Sequence, residues 1–216
     1  MNRFARVAAL AGVLVFTAVA GLAVSGDALA KNDTRSAEAF RADMRQLWED
    51  HIVWTRQYIV SAATADGALP DADETLARLL RNQDDIGNAI AAYYGQAAGD
   101  ALAALLKDHI LIAGQLIADV KDGSANAPVT QAAWFSNADD IAAFLAQANP
   151  VNWPFEMMQE HMYGHLKLTA EEAVARIQGR YADDIAAYDK VHVQILGMAD
   201  MLSDGIVAQF PSRFSR

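Results

Sequence analysis

The sequence predicts an all-α protein, an antiparallel up-down helical bundle with a partly duplicated helical hairpin. Three observations predict it. Apolar residues recur three and four apart over long stretches, the spacing of a buried helix face. The five prolines (Pro70, Pro128, Pro150, Pro154 and Pro211) stand between or beyond those stretches, where a missing N–H does least harm. No sustained period-two alternation of β-branched residues marks a strand.

In chain order, residues 1–30 read as a secretory signal peptide. Arg3 and Arg6 give a positive start, Val7 to Val24 is almost wholly apolar, and Ala28-Leu29-Ala30 supplies the small residues of a cleavage site. An uncleaved anchor is the alternative, and no other segment reads as apolar enough to span a membrane. Residues 31–216 form the predicted bundle domain. Its first helix runs from about Ser36 to Ala65, with Phe40, Met44, Leu47, His51, Trp54, Tyr58 and Ala62 in one stripe. A second follows Pro70 with Leu76, Leu80, Gln83, Gly87, Ile90 and Tyr94, and Gly95 and Gly99 mark its end. The third starts near Asp100 and places Leu102, Leu105, His109, Ile112, Leu116 and Val120 inward. The fourth, Val129 to Gln147, uses Trp134, Asn137, Ile141 and Phe144. A short segment after Pro154 carries Met158, His161 and His165. Thr169 and Glu172 then read as the capping box of a last helix with Ile185, Tyr188, His192, Ile195 and Leu202 inward.

Composition bounds the function. The net charge of −10 becomes −11 when residues 1–30, with Arg3, Arg6 and Asp27, are removed. Such a surface repels phosphate backbones and anionic head groups, which argues against nucleic acid and, after cleavage, against a membrane as partner. Cysteine is absent, which excludes disulfides, thiolate metal sites, iron–sulfur clusters and covalently attached haem. The expected location is periplasmic or secreted.

Leu47-Trp-Glu-Asp-His-Ile-Val-Trp-Thr-Arg-Gln-Tyr-Ile59 aligns without gaps to Leu105-Leu-Lys-Asp-His-Ile-Leu-Ile-Ala-Gly-Gln-Leu-Ile117, and Asn82-Gln-Asp-Asp-Ile86 to Asn137-Ala-Asp-Asp-Ile141. The expectation is a helical hairpin present twice, with a diverged third copy closing the fold. Counting residues outward from the turns puts His51, His109 and His192 near one plane at mid-bundle. Gln83 and Asn137 join that layer, and Asp140 and Asp184 can reach in.

Neutral imidazole is the commonest metal ligand, so His51, His109, His192, Asp140 and Asp184 form the expected metal site. Histidine and carboxylate without thiolate suit zinc, iron, manganese or copper. Two other readings stand beside it: a polar layer that only sets helix register, and a small-molecule pocket lined by Trp54, Tyr58 and Tyr188. Either way the chain reads as a binding or structural protein rather than an enzyme. His161 and His165 have the i, i+4 spacing that can grip one ion, but on a connecting segment they read as partly exposed. Met157, Met158, Met162, Met198 and Met201 read as core filler before copper or haem ligands. Asp189-Lys-Val-His192 is similar to the paired ligands of di-iron bundles, with no second pair in the repeat.

The inward histidine of Leu47-Trp-Glu-Asp-His51 with Trp54 following resembles the DinB-like and hemerythrin-like metal-binding helical bundles. That resemblance implies iron, zinc or nickel held between helices by histidines and carboxylates. The duplicated hairpin is similar in plan to ferritin-like proteins, whose glutamate and Glu-x-x-His ligands this chain lacks. The whole chain also resembles a family of exported bacterial helical-bundle proteins.

Overall fold

Ser36 opens the first helix by accepting a hydrogen bond from the backbone N–H of Ala39, an N-cap that satisfies one of the free donors there. The computed structural model describes residues 35–64 and 67–215; the expected signal peptide, residues 1–30, lies outside the described residues. Among these, the helices are α1 Ala37–Ala62, α2 Ala72–Tyr94, α3 Gln96–Lys121, α4 Ala127–Ala148, α5 Phe155–Ile177 and α6 Tyr181–Gln209. The described chain is an all-α helical bundle. Its one extended pairing is β1, Arg35–Ser36, parallel to β2, Phe214–Ser215.

The breaks have local causes. Gly95, at φ +89°, alone separates α2 from α3. Pro128 sits in the first turn of α4, where its missing N–H is harmless. After α3 and α5 the chain reverses through the same device. Gly123 and Gly179 adopt positive φ, of +63° and +69°. Their amides return to Val120 and Arg176, and the following amides of Ser124 and Arg180 return to Asp119 and Ala175. This is the Schellman arrangement, for which glycine carries no Cβ penalty.

Three expectations are corrected here. The segment after Pro154 is a full helix, not a short one, and Thr169 is a buried residue within it rather than a cap. The reversal lies ten residues later, at Gly179. Second, Gly99 belongs to α3, where it and Gly87 of α2 let the two backbones meet; a Cβ on either would come within 2.6 Å of the other's carbonyl oxygen. Third, α3 is in fact long and apolar enough to cross a membrane by length and composition. It packs here between α2 and α4 as a member of the bundle.

Each helix packs against its neighbours in sequence, and α6 closes the ring on α1. Alternate helices run in the same direction. Lys121 at the end of α3 donates to the carbonyl of Ala62 at the end of α1, and Tyr58 of α1 packs on Gly114 of α3. By contrast Arg41, Arg45 and Arg56 of α1 pair with Asp204, Asp200 and Asp184 of α6, an antiparallel order.

The core follows one register on α1, α3 and α5. Seven residues before the mid-helix histidine are Met44, Leu102 and Met158; three before it are Trp48, Leu106 and Met162; one after it are Ile52, Ile110 and Leu166. All nine are buried. Burying each such side chain contributes about 1.5–3 kcal/mol, so this seam anchors the level at which the histidines stand.

Candidate functional site

The histidines at that level are His51, His109 and His165, one from each of α1, α3 and α5, and all are buried. The His165 ring lies between the other two, with centroids 5.9 Å from His51 and 6.4 Å from His109. His51 and His109 stand where the sequence put them. The third does not. His192 is half-buried on α6, with Nε2 3.0 Å from a carboxylate oxygen of Glu49.

The reason is a rotation of the inward face of α6. Asp184, Ala187, Val191, Ile195, Met198, Leu202 and Ile206 are buried, whereas Ile185 is 55% exposed. A stripe containing Asp184 reads as polar in sequence. It can be buried because Arg56 donates to both carboxylate oxygens of Asp184 and to Glu172 at 2.9 Å, with Arg176 also 3.6 Å from Asp184. Asp184 therefore serves the Arg56 cluster rather than the histidines, and Asp140 is exposed on α4. Burial, helped by the charge of Asp184, pushes the Glu172 carboxyl up to about 7, with Arg56 pulling the other way.

Each of the three histidines is held by an amide from the following helix. Asn137 of α4 donates Nδ2–H to the carbonyl of Leu105 at 3.1 Å, which turns its Oδ1 to His109 Nδ1 at 2.7 Å. Gln194 of α6 repeats this, donating to the His161 carbonyl at 3.1 Å and placing Oε1 3.2 Å from His165 Nδ1. An amide oxygen only accepts, so both rings carry the proton on Nδ1 and expose the lone pair on Nε2. The first hairpin divides the task. Asn82 donates to the Leu47 carbonyl at 3.0 Å, and the neighbouring Gln83 lies 3.3 Å from His51 Nδ1 through its amide nitrogen. Leu47, Leu105 and His161 each precede their histidine by four residues, so the three contacts are equivalent.

All three rings are neutral. Burial lowers His51 and His109 to about 3 and His165 to about 4, and the proximity of the other histidines adds to the shift for His51 and His109. Trp48 packs edge-on to His51 at 5.6 Å and Trp134 against His109 at 5.3 Å. Several buried polar atoms around these rings have no hydrogen-bond partner among the described residues: His109 Nε2, Gln83 Oε1, Trp48 Nε1, Trp134 Nε1 and Thr169 Oγ1. An unpaired buried polar group costs about 1–3 kcal/mol, so these are the atoms around the histidines to which a further partner would add most.

The arrangement offers three neutral imidazoles, at least two presenting Nε2 lone pairs. Among the described residues, no three His, Asp or Glu side chains already stand close enough to enclose an ion. Rings bound through Nε2 to one ion would have centroids about 5 to 5.5 Å apart, from nitrogen–metal distances of about 2 Å. The two spacings from His165 exceed that by roughly an ångström. The three aromatics expected to line a pocket each have another neighbour: Trp54 lies under Arg78, Tyr188 under Arg56, and Tyr58 against Gly114.

No family model, curated protein or solved structure matches the chain.

The sequence pairs His165 with His161 as partly exposed and gives Gln194 no role, because α5 reads there as a short connecting segment; His165 is in fact buried. Aligning His165 with His51 and His109 would have found them, since Met158, Met162 and Leu166 then fall on the same apolar offsets.

Proposed function

We propose that this chain is an exported helical-bundle protein that holds a metal ion at mid-bundle through His51, His109 and His165. One observation carries the reading: three histidines from three parallel helices meet in a buried layer, and the Nε2 of His109 is buried with no partner among the described residues. The amides of Asn137 and Gln194 do what partners of ligating histidines commonly do, fixing the tautomer and the ring through Nδ1. Burial favours the neutral imidazole that a metal requires. Three nitrogen ligands without thiolate suit zinc or copper, and iron or manganese less, with one coordination position left open. Asp140 and Asp184 have no part in this set. The matching contacts of the three hairpins also support a common origin by duplication, with α5 and α6 as the diverged third copy.

A second reading has its own observation. Each Nδ1 already has an amide neighbour, and the rings stand wider apart than a shared ion would draw them, which favours a polar layer that sets register. Metal analysis of protein purified from the cell envelope separates the two. The metal reading expects about one ion per chain, lost together in His51→Ala, His109→Ala and His165→Ala and retained in His192→Ala. It also expects chelator to lower the melting temperature of the wild type and of His192→Ala but not of the other three variants, because a ligand of the native state adds to stability. A metal-free wild type that takes up no added zinc or copper would leave the polar layer as the function of these residues.

A further inference from the structure

The histidine layer is uncharged on every side. Asp50 and Asp108 each precede one of its histidines, yet Asp108 is exposed and Asp50 pairs with Arg78. Asp140 is exposed, and Arg56 holds Asp184 and Glu172. The side chains that reach the rings are the neutral amides of Gln83, Asn137 and Gln194. Three residues before the histidines stand Trp48, Leu106 and Met162, and four after them Thr55, Ala113 and Thr169. None of these carries a charge. Among the described residues, the only titratable groups whose charge bears on the rings are the other rings.

Resting on the metal reading above, we propose that the ion this layer selects is monovalent copper, Cu(I), held by three imidazoles with no anion beside it. Moving an ion from water into a buried site costs a free energy that rises with the square of its charge. A divalent ion therefore costs about four times as much as a monovalent one of equal size. Buried divalent sites offset that cost with thiolate, carboxylate or bound hydroxide. Here every donor is neutral, and no carboxylate stands in the layer to balance a second positive charge. Coordination number points the same way. Zinc in proteins takes four ligands, so three imidazoles leave it one short. Imidazole suits copper, and Cu(I), with a filled d shell, is satisfied by three donors.

The test is competition titration of the full chain, freed of metal, against a chromophoric chelator. Cu(I) is supplied with ascorbate in the absence of oxygen, and Zn(II) separately at the same pH. Cu(I) should bind at about one ion per chain and about a hundredfold or more tightly than Zn(II). His51→Ala, His109→Ala and His165→Ala should each lose it, which separates the layer from the core methionines as the holder. Asn137→Asp and Gln194→Glu put a carboxylate beside Nδ1 of His109 and of His165 with almost no change of shape. Each should raise Zn(II) affinity by about tenfold or more and Cu(I) affinity by less, because the added charge attracts a divalent ion about twice as strongly. Circular dichroism checks that each variant is folded, and two carboxylate positions guard against one failing to fold. Zn(II) bound as tightly as Cu(I), or a preference that both carboxylate variants leave unchanged, overturns the assignment to Cu(I) and leaves the metal reading standing. Cu(I) retained by all three alanine variants places it elsewhere and overturns the assignment too. A wild-type chain that binds neither ion overturns both.

Discussion

Replacing Asn137 with leucine removes the amide that orients His109. The His109 Nδ1–H then loses its 2.7 Å acceptor in a site where no other partner stands, and the Leu105 carbonyl loses its second donor while keeping its helical bond. An unsatisfied buried donor costs about 1–3 kcal/mol, and the carbonyl contact is worth about 1 kcal/mol more, so Asn137→Leu should destabilise the protein by about 2–4 kcal/mol. His109→Leu alone strands the Asn137 oxygen and should cost about 1–3 kcal/mol on the same grounds. Making both changes together replaces a bonded polar pair by two apolar side chains, and the penalty for stranding either partner disappears. The double variant should therefore be more stable than the sum of the single losses by about 1–3 kcal/mol. The assay is urea unfolding at mildly alkaline pH with chelator, which keeps the imidazoles neutral and removes any metal. Single losses that add to within about 0.5 kcal/mol would refute the coupling and the tautomer assignment built on it.

Three further expectations concern pH and packing. In chelated protein the histidines titrate near 6.5 when unfolded but near 3 to 4 when folded, so the native chain binds fewer protons between those values and stability falls as pH falls through them. One unit below 6.5 the three together should cost about 4 kcal/mol, read as a falling urea midpoint; a flat profile there would contradict their burial as neutral rings. Glu172 acts in the opposite direction, since its folded value of about 7 exceeds the ordinary 4.5, and stability is lost as pH rises between them. Glu172→Gln should flatten that part of the curve and stabilise the protein at alkaline pH, by up to about 3 kcal/mol. Gly99→Ala gains about 1 kcal/mol of helix propensity but puts a methyl 2.6 Å from the Gly87 carbonyl oxygen, which is backbone and cannot step aside. The steric cost should win, lowering thermal stability by about 1–2 kcal/mol net, and a stabilised variant would mean that α2 and α3 do not touch at this point.

The all-α class, the positions of α1 to α4 and the inward placement of His51, His109, Gln83 and Asn137 were legible in the sequence. Each rests on local rules: proline and Gly95 mark breaks, and a spacing of three and four marks a buried stripe. The other half of the site was decided by tertiary structure. Sequence periodicity offered two faces of α6 that share Ile195 and Leu202, and the more apolar-looking one points His192 inward. The fold takes the other face, because Arg56, 116 and 128 residues away in the chain, meets Glu172 and Asp184 across the ring and makes a buried carboxylate tolerable. A charge partner from another helix leaves no mark on the periodicity of its own. The same holds for His165. Its neighbours are apolar at the right offsets, but only closure of the ring brings α5 beside both α1 and α3, and so converts three separate inward rings into one layer.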